Sequence, residues 1–208
     1  MSPRLSRADQ NDRNRALLLS AALRVFLDRG YHASSLEQIA DEAGFSKGAV
    51  YSRFESKADM FLALLTDRIA ARAAENAAAV AEVASSGTVA SLIELAWQAE
   101  RATPGWRLLV TEFRVLAARD PVLNRRYAAA HATTVDAIAG ILSAIAERDG
   151  VSLAVPAPRL AELLLAVETG IALEQLASPD AIDLPQAGVA VCQLAELLDS
   201  APVIVPGK

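Results

Sequence analysis

The sequence predicts an all-α chain, with an N-terminal three-helix helix-turn-helix domain followed by a larger helical domain, about nine helices in all. Three observations carry this. The 208-residue chain is 53% hydrophobic but only 5% aromatic, with alanine and leucine dominant, a composition that favours helix and supports a sizeable core. β-Branched runs are short, and apolar residues recur at three- and four-residue spacing through most of the chain. Glycine and proline are sparse, at 10 and 9 residues, which leaves long periodic segments uninterrupted.

Charge and cysteine narrow the classes further. The net charge is −5, which argues against a protein that coats nucleic acid non-specifically. The distribution is uneven: residues 1–57 hold nine basic and seven acidic residues, and the rest holds eleven and eighteen. A mildly basic head on an acidic body suits a local contact with an anionic partner. The single cysteine, Cys192, makes no internal disulfide and reads as a small buried thiol. No apolar run comes near the roughly 18 residues that span a bilayer, and the polar N-terminus lacks a signal-peptide core. The expectation is a cytoplasmic protein with no membrane partner.

Residues 1–11 read as a flexible N-terminal arm. A helix is expected over 11–29, with Leu18, Ala22, Val25 and Phe26 on one face and Gly30 ending it in the left-handed conformation. Ser34 and Ser35 are both N-caps with Glu37 and Gln38 three residues on, so either register makes a capping box. The helix Leu36–Ala43 buries Leu36, Ile39, Ala40 and Ala43; Gly44 supplies a turn, with Phe45 beneath it. Ser46 caps a helix over 47–54, whose Val50 and Phe54 face inward. Its outer face carries Lys47, Gly48, Ala49, Tyr51, Ser52 and Arg53, a small, polar and basic set suited to entering a major groove. Ser56 caps the next helix, with Asp59 completing another box and Lys57 in the first turn.

That helix is expected to run from Lys57 to about Ala84 as a connector into the second domain. A helix follows over 88–102, and then Thr103-Pro104 reads as a cap and first position. The stripe Trp106, Leu109, Val110, Phe113, Leu116 and Ala117 comes next. Asp120-Pro121 starts a further helix, reaching Arg148 before Asp149-Gly150, with Ile138, Ile141, Leu142 and Ile145 inward. The segment 159–177 is apolar on two sides, with Leu160, Leu163, Leu164, Val167 and Ile171 on one and Leu165, Ala172, Leu173 and Leu176 on another. Two apolar sides imply two partners. A last helix over 184–199 aligns Val191, Leu194, Ala195 and Leu198. The domain organisation read from this is an arm (1–11), a helix-turn-helix domain (12–57), a helical domain (58–200) and a loose tail (201–208).

The stretch 21–65, AALRVFLDRGYHASSLEQIADEAGFSKGAVYSRFESKADMFLALL, resembles the DNA-binding domain of TetR-family transcriptional regulators. Phe26, Gly30-Tyr31, Ile39-Ala40, Ala43-Gly44, the run from Ser46 to Tyr51, then Phe54, Ser56 and Lys57 carry the pattern in order and spacing. The resemblance covers about a quarter of the chain at motif level; LEQLASPD, 173–180, is a weaker match to the end of the family's eighth helix. The resemblance implies phosphate contacts from Ser35, Tyr51 and Lys57, and base contacts from the turn of Ser46, Lys47, Gly48 and Ala49 with Ser52 and Arg53. In many members a bulky aromatic residue or His stands at the positions of Ser52 and Arg53, so this chain departs there in what it reads. For each residue a plain alternative stands beside the functional one: surface charge for Lys47 and Arg53, packing for Tyr51, capping for Ser34 and Ser35.

The resemblance also implies a homodimer through the last two helices and a ligand cavity in the second domain. Trp97, Trp106, Phe113, Tyr127, His131 and Glu168 are candidates to line it, with core packing as the alternative for the aromatics and the dimer seam for Glu168. The function implied is a ligand-responsive regulator, in the first place a repressor on a pseudo-palindromic operator as a homodimer, released by a small, mostly apolar molecule. The rivals are a TetR-type activator and an all-helical interaction protein with a structural helix-turn-helix. An enzyme is not expected. The chain has two histidines, one cysteine, no metal-spaced cluster, no P-loop, no dinucleotide fingerprint and no GxSxG, so no metal and no cofactor are expected either.

Overall fold

A computed structural model of the chain describes residues 6–75, 77–88, 91, 103, 105–178 and 186. Among these are eight helices: α1 (Arg7–Ala33), α2 (Leu36–Ala43), α3 (Lys47–Tyr51), α4 (Lys57–Glu75), α5 (Ala77–Ser86), α6 (Trp106–Ala117), α7 (Pro121–Asp149) and α8 (Ala157–Ala177). The chain is all-α, and no strand occurs among the described residues. The expected helices over 88–102 and 184–199, with Trp97 and Cys192, lie outside the described residues apart from isolated positions.

Local capping explains most boundaries. α1 begins at Arg7, four residues before the expected start, because Ser6 and Asp9 form a reciprocal capping box. Ser35 is the cap of α2: its hydroxyl accepts from the Gln38 amide, and the Gln38 side chain returns to the Ser35 amide. Ser34 is buried and instead donates to the carbonyl of Gly30 at 2.6 Å. Asp120 accepts from the amides of Val122 and Leu123, and Gly150, at φ 65°, ends α7.

Three further details differ from expectation. Asp59 is held at its amide by Ser56, but its carboxylate pairs with Arg126 of α7 and does not close a box. α6 starts at Trp106 with Gly105 as cap; Thr103 instead accepts a hydrogen bond from Arg68. α3 is one turn shorter than 47–54 and stops at Tyr51. The described residues on both sides of Asn76 are helical, in line with the connector expected from Lys57.

Packing forms two cores. The first joins the head to the body: Leu18, Phe26, Tyr31, Ile39, Val50, Phe61, Leu109, Phe113 and Tyr127 belong to one buried cluster. The second lies at the far end of α7, where Val83, Val135, Ile141, Leu142, Ile145, Ala157 and Ala161 meet. α7 contributes to both, packing against α4, α5, α6 and α8. An 18-residue window of α7 reaches a mean hydropathy of 1.4. By length and composition alone it passes as a membrane span, against the expectation from sequence, while in the fold it is the central helix of the body.

Candidate nucleic-acid interface

The head is built so that α3 cannot turn away from its outer face. Val50 is fully buried and Phe54 nearly so. Gly44 ends α2 at φ 70°, ψ 29°, and the Phe45 amide donates back to the Ala40 carbonyl at 2.9 Å. The Ser46 hydroxyl accepts from the Ala49 amide and fixes the first turn of α3. With its inner residues pinned, α3 leaves Ser46, Lys47, Gly48, Tyr51 and Ser52 exposed and Ala49 half-buried. Nothing approaches within 4 Å of the position a Cβ would take at Gly48, so the backbone there is open to a close neighbour. Ser52 is exposed and donates to the Ala49 carbonyl at 2.9 Å, which leaves its hydroxyl oxygen able to accept.

Among the expected phosphate and base ligands, Tyr51, Arg53 and Lys57 already have partners within the chain. The Tyr51 hydroxyl donates to Glu37 Oε1 at 2.7 Å. That bond, with hydrogen bonds from Glu37's own amide and Ser35 and the nearby charge of Lys47, holds the Glu37 carboxyl below the usual carboxylate range. The same bond pushes the Tyr51 phenol up. Arg53 turns toward α1, donating to the Asn11 carbonyl at 3.2 Å and to Asn11 Oδ1 at 2.8 Å. Lys57 turns inward: its ammonium donates to the carbonyls of Tyr31 (2.6 Å), His32 (3.1 Å) and Ser34 (2.7 Å). It also lies 4.5 Å from the centre of the Tyr31 ring. Burial pulls this ammonium below the usual lysine range.

Sequence reading missed Asn11 and Glu112 as members of this region, and took Glu37 for a capping residue where it is the partner of Tyr51. The contacts of Glu37, Asn11 and Glu112 span 14, 42 and 81 residues, and no local periodicity signals such a pairing.

The candidate effector residues fall into two groups. Trp106, Phe113, Tyr127 and His131 form one aromatic run under the head. Phe113 stacks on Phe61 at 4.2 Å, Trp106 lies 6.1 Å from the same ring, and Tyr127 stacks on His131 at 5.8 Å. Burial pushes the Tyr127 phenol up, against the Arg114 charge. Burial pulls the His131 imidazole down; Arg114 adds to this and Glu162 opposes it. Glu168 of α8 pairs with Arg107 of α6, both largely buried, so it ties two helices together inside the body.

The fold and the exposed α3 define the class: a helix-turn-helix head fused through a shared core to an all-helical body. Residues 18–64 match the family described as bacterial regulatory proteins, tetR family, and the N-terminal domain of this chain belongs to it. The chain is 52% identical over 54 residues to the HTH-type transcriptional activator FasR of Mycolicibacterium smegmatis, covering 26% of this chain and 25% of that protein. It is 30% identical over 111 residues to the HTH-type transcriptional repressor AcnR of Corynebacterium diphtheriae, covering 53% of each. The chain thus spans between a quarter and about half the length of these relatives. The Bacillus subtilis regulator FadR, solved in complex with stearoyl-CoA, superposes with a TM-score of 0.69 at 17% identity, over 86% of this chain and 96% of that one. At that identity the likeness is one of fold.

Proposed function

We propose that the protein is a ligand-responsive transcriptional regulator, in the first place a repressor, that binds a pseudo-palindromic operator as a homodimer and acts in the cytoplasm. The observation that carries this is the outer face of α3, where Lys47, Gly48, Tyr51 and Ser52 stand exposed on a helix locked from behind by Val50 and Phe54. A short, rigid, polar and basic helix end of this kind fits the major groove. Residues 12–57 would read the operator, and 58–200 would bind the effector and pair the subunits. One head covers few base pairs, so two-fold pairing is what gives a useful site. Leu163, Leu173 and Leu176 on α8 are exposed, which supports pairing through the end of the body.

Ser35, Tyr51 and Lys57 are the proposed phosphate contacts, and Ser46, Lys47, Gly48, Ala49, Ser52 and Arg53 the proposed base-side surface. Tyr51, Arg53 and Lys57 each give up a partner within the chain to serve in those roles. The effector is a small, mostly apolar molecule, with Trp106, Tyr127 and His131 as its candidate neighbours. The fold-level likeness to a stearoyl-CoA complex makes an acyl thioester the first compound class to try. An activator is the second reading, favoured by the 52% identity of the head to FasR.

Selection of bound genomic fragments, followed by anisotropy titrations across salt, tests the proposal. Lys47→Ala should change sequence preference, whereas Lys57→Ala should weaken binding to every fragment and lower the salt slope by about one if Lys57 meets a phosphate. An unchanged salt slope in Lys57→Ala would return that residue to its carbonyls. The absence of salt-sensitive, sequence-selective binding by the wild type would leave the interaction protein as the better reading.

A further inference from the structure

Residue 31 is gripped at both ends of its backbone by groups of opposite charge from different parts of the chain. Its N–H donates to Glu112 Oε2 at 2.7 Å; its carbonyl accepts from Lys57 Nζ at 2.6 Å. Glu112 belongs to α6, in the body. Lys57 begins α4, where the head ends. Phe113, the next residue on α6, meets the Tyr31 ring edge-on at 5.2 Å, so consecutive residues of one body helix hold the backbone and the ring of the same head residue.

The local backbone is shaped for this grip. Gly30 has φ 74° and ψ 167°, a conformation that is essentially glycine's alone. Its ψ is extended, not left-handed helical, so α1 kinks there and turns the Tyr31 amide toward α6. A Cβ at position 30 would lie 3.1 and 3.2 Å from the two oxygens of Glu112. Glycine is therefore required for its dihedrals, and the missing Cβ also eases the approach of the carboxylate to the amide. A charged acceptor on a half-buried amide makes a stronger bond than a neutral one, and removing it leaves that amide without a partner at the head–body seam.

We infer that Glu112 is a positioning residue: through the Tyr31 amide it sets the attitude of the DNA-binding head on the body, with Lys57 closing the far side of the clamp. A body rearrangement that moves α6 then moves the kink, and with it α1 and the helix-turn-helix. The inference rests on the proposed DNA-binding reading only for its affinity arm.

The test is a distance measurement. Nitroxide labels at Asp41→Cys on α2 and Glu147→Cys on α7, with Cys192 replaced by serine and labelled chain diluted in unlabelled chain, report head against body by double electron–electron resonance. The wild type should give one narrow distribution, Glu112→Gln should keep it, and Glu112→Ala should broaden it while melting cooperatively. Glu112→Asp, one methylene too short to reach the amide, should broaden it as well, and serves if the alanine variant does not fold. Distributions for Glu112→Ala or Glu112→Asp that match the wild type would overturn the inference, as would a lower melting temperature with no broadening. On a genomic fragment selected by the wild type, Glu112→Ala should bind about tenfold more weakly at an unchanged salt slope, with Glu112→Gln within about twofold. Should the wild type select no fragment, the DNA-binding reading fails while the distance arm still decides the clamp.

Discussion

The two cores of this molecule are made of different materials. The one beneath the head holds an aromatic cluster among its aliphatic residues: Phe26, Tyr31, Phe61, Phe113 and Tyr127 meet in stacked, edge-on and tilted pairs 4.2 to 6.1 Å apart, with Trp106 at the margin. The one at the far end of α7 is aliphatic, of valine, isoleucine, leucine and alanine, with Val80, Leu160, Leu164 and Leu165 only partly covered around it. Aromatic pairs have preferred geometries and resist sliding. Aliphatic side chains accept exchange of shape at small cost when volume is kept. The head is thus joined to the body by the core whose packing geometry is the more constrained, and the far end of the body by the one that tolerates repacking more readily. In a regulator of the proposed kind, that division would carry motion to the head without absorbing it at the joint.

The largest effect expected from breaking this contrast is at Phe113, which is fully buried and touches Tyr31, Phe61 and Tyr127. Phe113→Ala should cost about 3–5 kcal/mol, the transfer term plus a cavity that stacked neighbours cannot close. Ile145→Val in the aliphatic core should cost only about 0.5–1.5 kcal/mol. Chemical denaturation measures both. Because these two truncations differ in size, Leu109→Ala in the first core against Leu142→Ala in the second is the like-for-like pair. Equal costs there, within the roughly 2–5 kcal/mol of such changes, would remove the distinction between the cores.

Tyr31 sharpens the contrast through pH. Burial pushes its phenol from the ordinary 10.0 up to about 12, and the residue is 3% exposed. The native state therefore keeps the proton after the unfolded chain has lost it. The contribution to stability is whole below pH 10 and is lost as pH rises to about 12. The loss is on the order of 2–3 kcal/mol, at about 1.4 kcal/mol per unit. Tyr31→Phe has no proton to lose: it should melt near the wild type at pH 7 and lose less between pH 10 and 12. Parallel loss in both proteins would show that the ring ionises without leaving the core.

How much of this was legible beforehand follows from the range of each interaction. Caps and turns are local, and Ser35, Ser46, Gly44, Asp120 and Gly150 act where the sequence places them. Periodicity found Phe113, Val50 and Phe54 as inward residues, because a helix face is a local property. What failed was the second half of each polar pair. Asp59 finds Arg126 across 67 residues, Glu168 finds Arg107 across 61, and Arg53 finds Asn11 across 42. A charged residue on a helix has many possible partners, and only the packing of α1, α4, α6, α7 and α8 selects one. The sequence marks which side chains can make charge-assisted bonds; the fold decides whether those bonds face a ligand or another helix.

The smallest expected effect tests whether the stiff core also presets the outer face. Val50 and Phe54 hold α3, and from that placement Tyr51 meets Glu37 with both side chains at the surface. A phosphate taking the Tyr51 hydroxyl would displace Glu37 and leave a carboxylate beside an anion. Glu37→Gln keeps an oxygen that accepts from Tyr51 but removes the charge. It should leave the melting temperature unchanged and tighten DNA binding about two- to fivefold at low salt, with the gain shrinking as salt screens the site. Because Glu37 titrates below the usual carboxylate range, the gain should hold steady as pH falls from 7 through 5 and fade only once the wild-type carboxylate takes a proton. An altered melting temperature would mean that the pair shapes α3. The outer geometry would then not be set by the core alone.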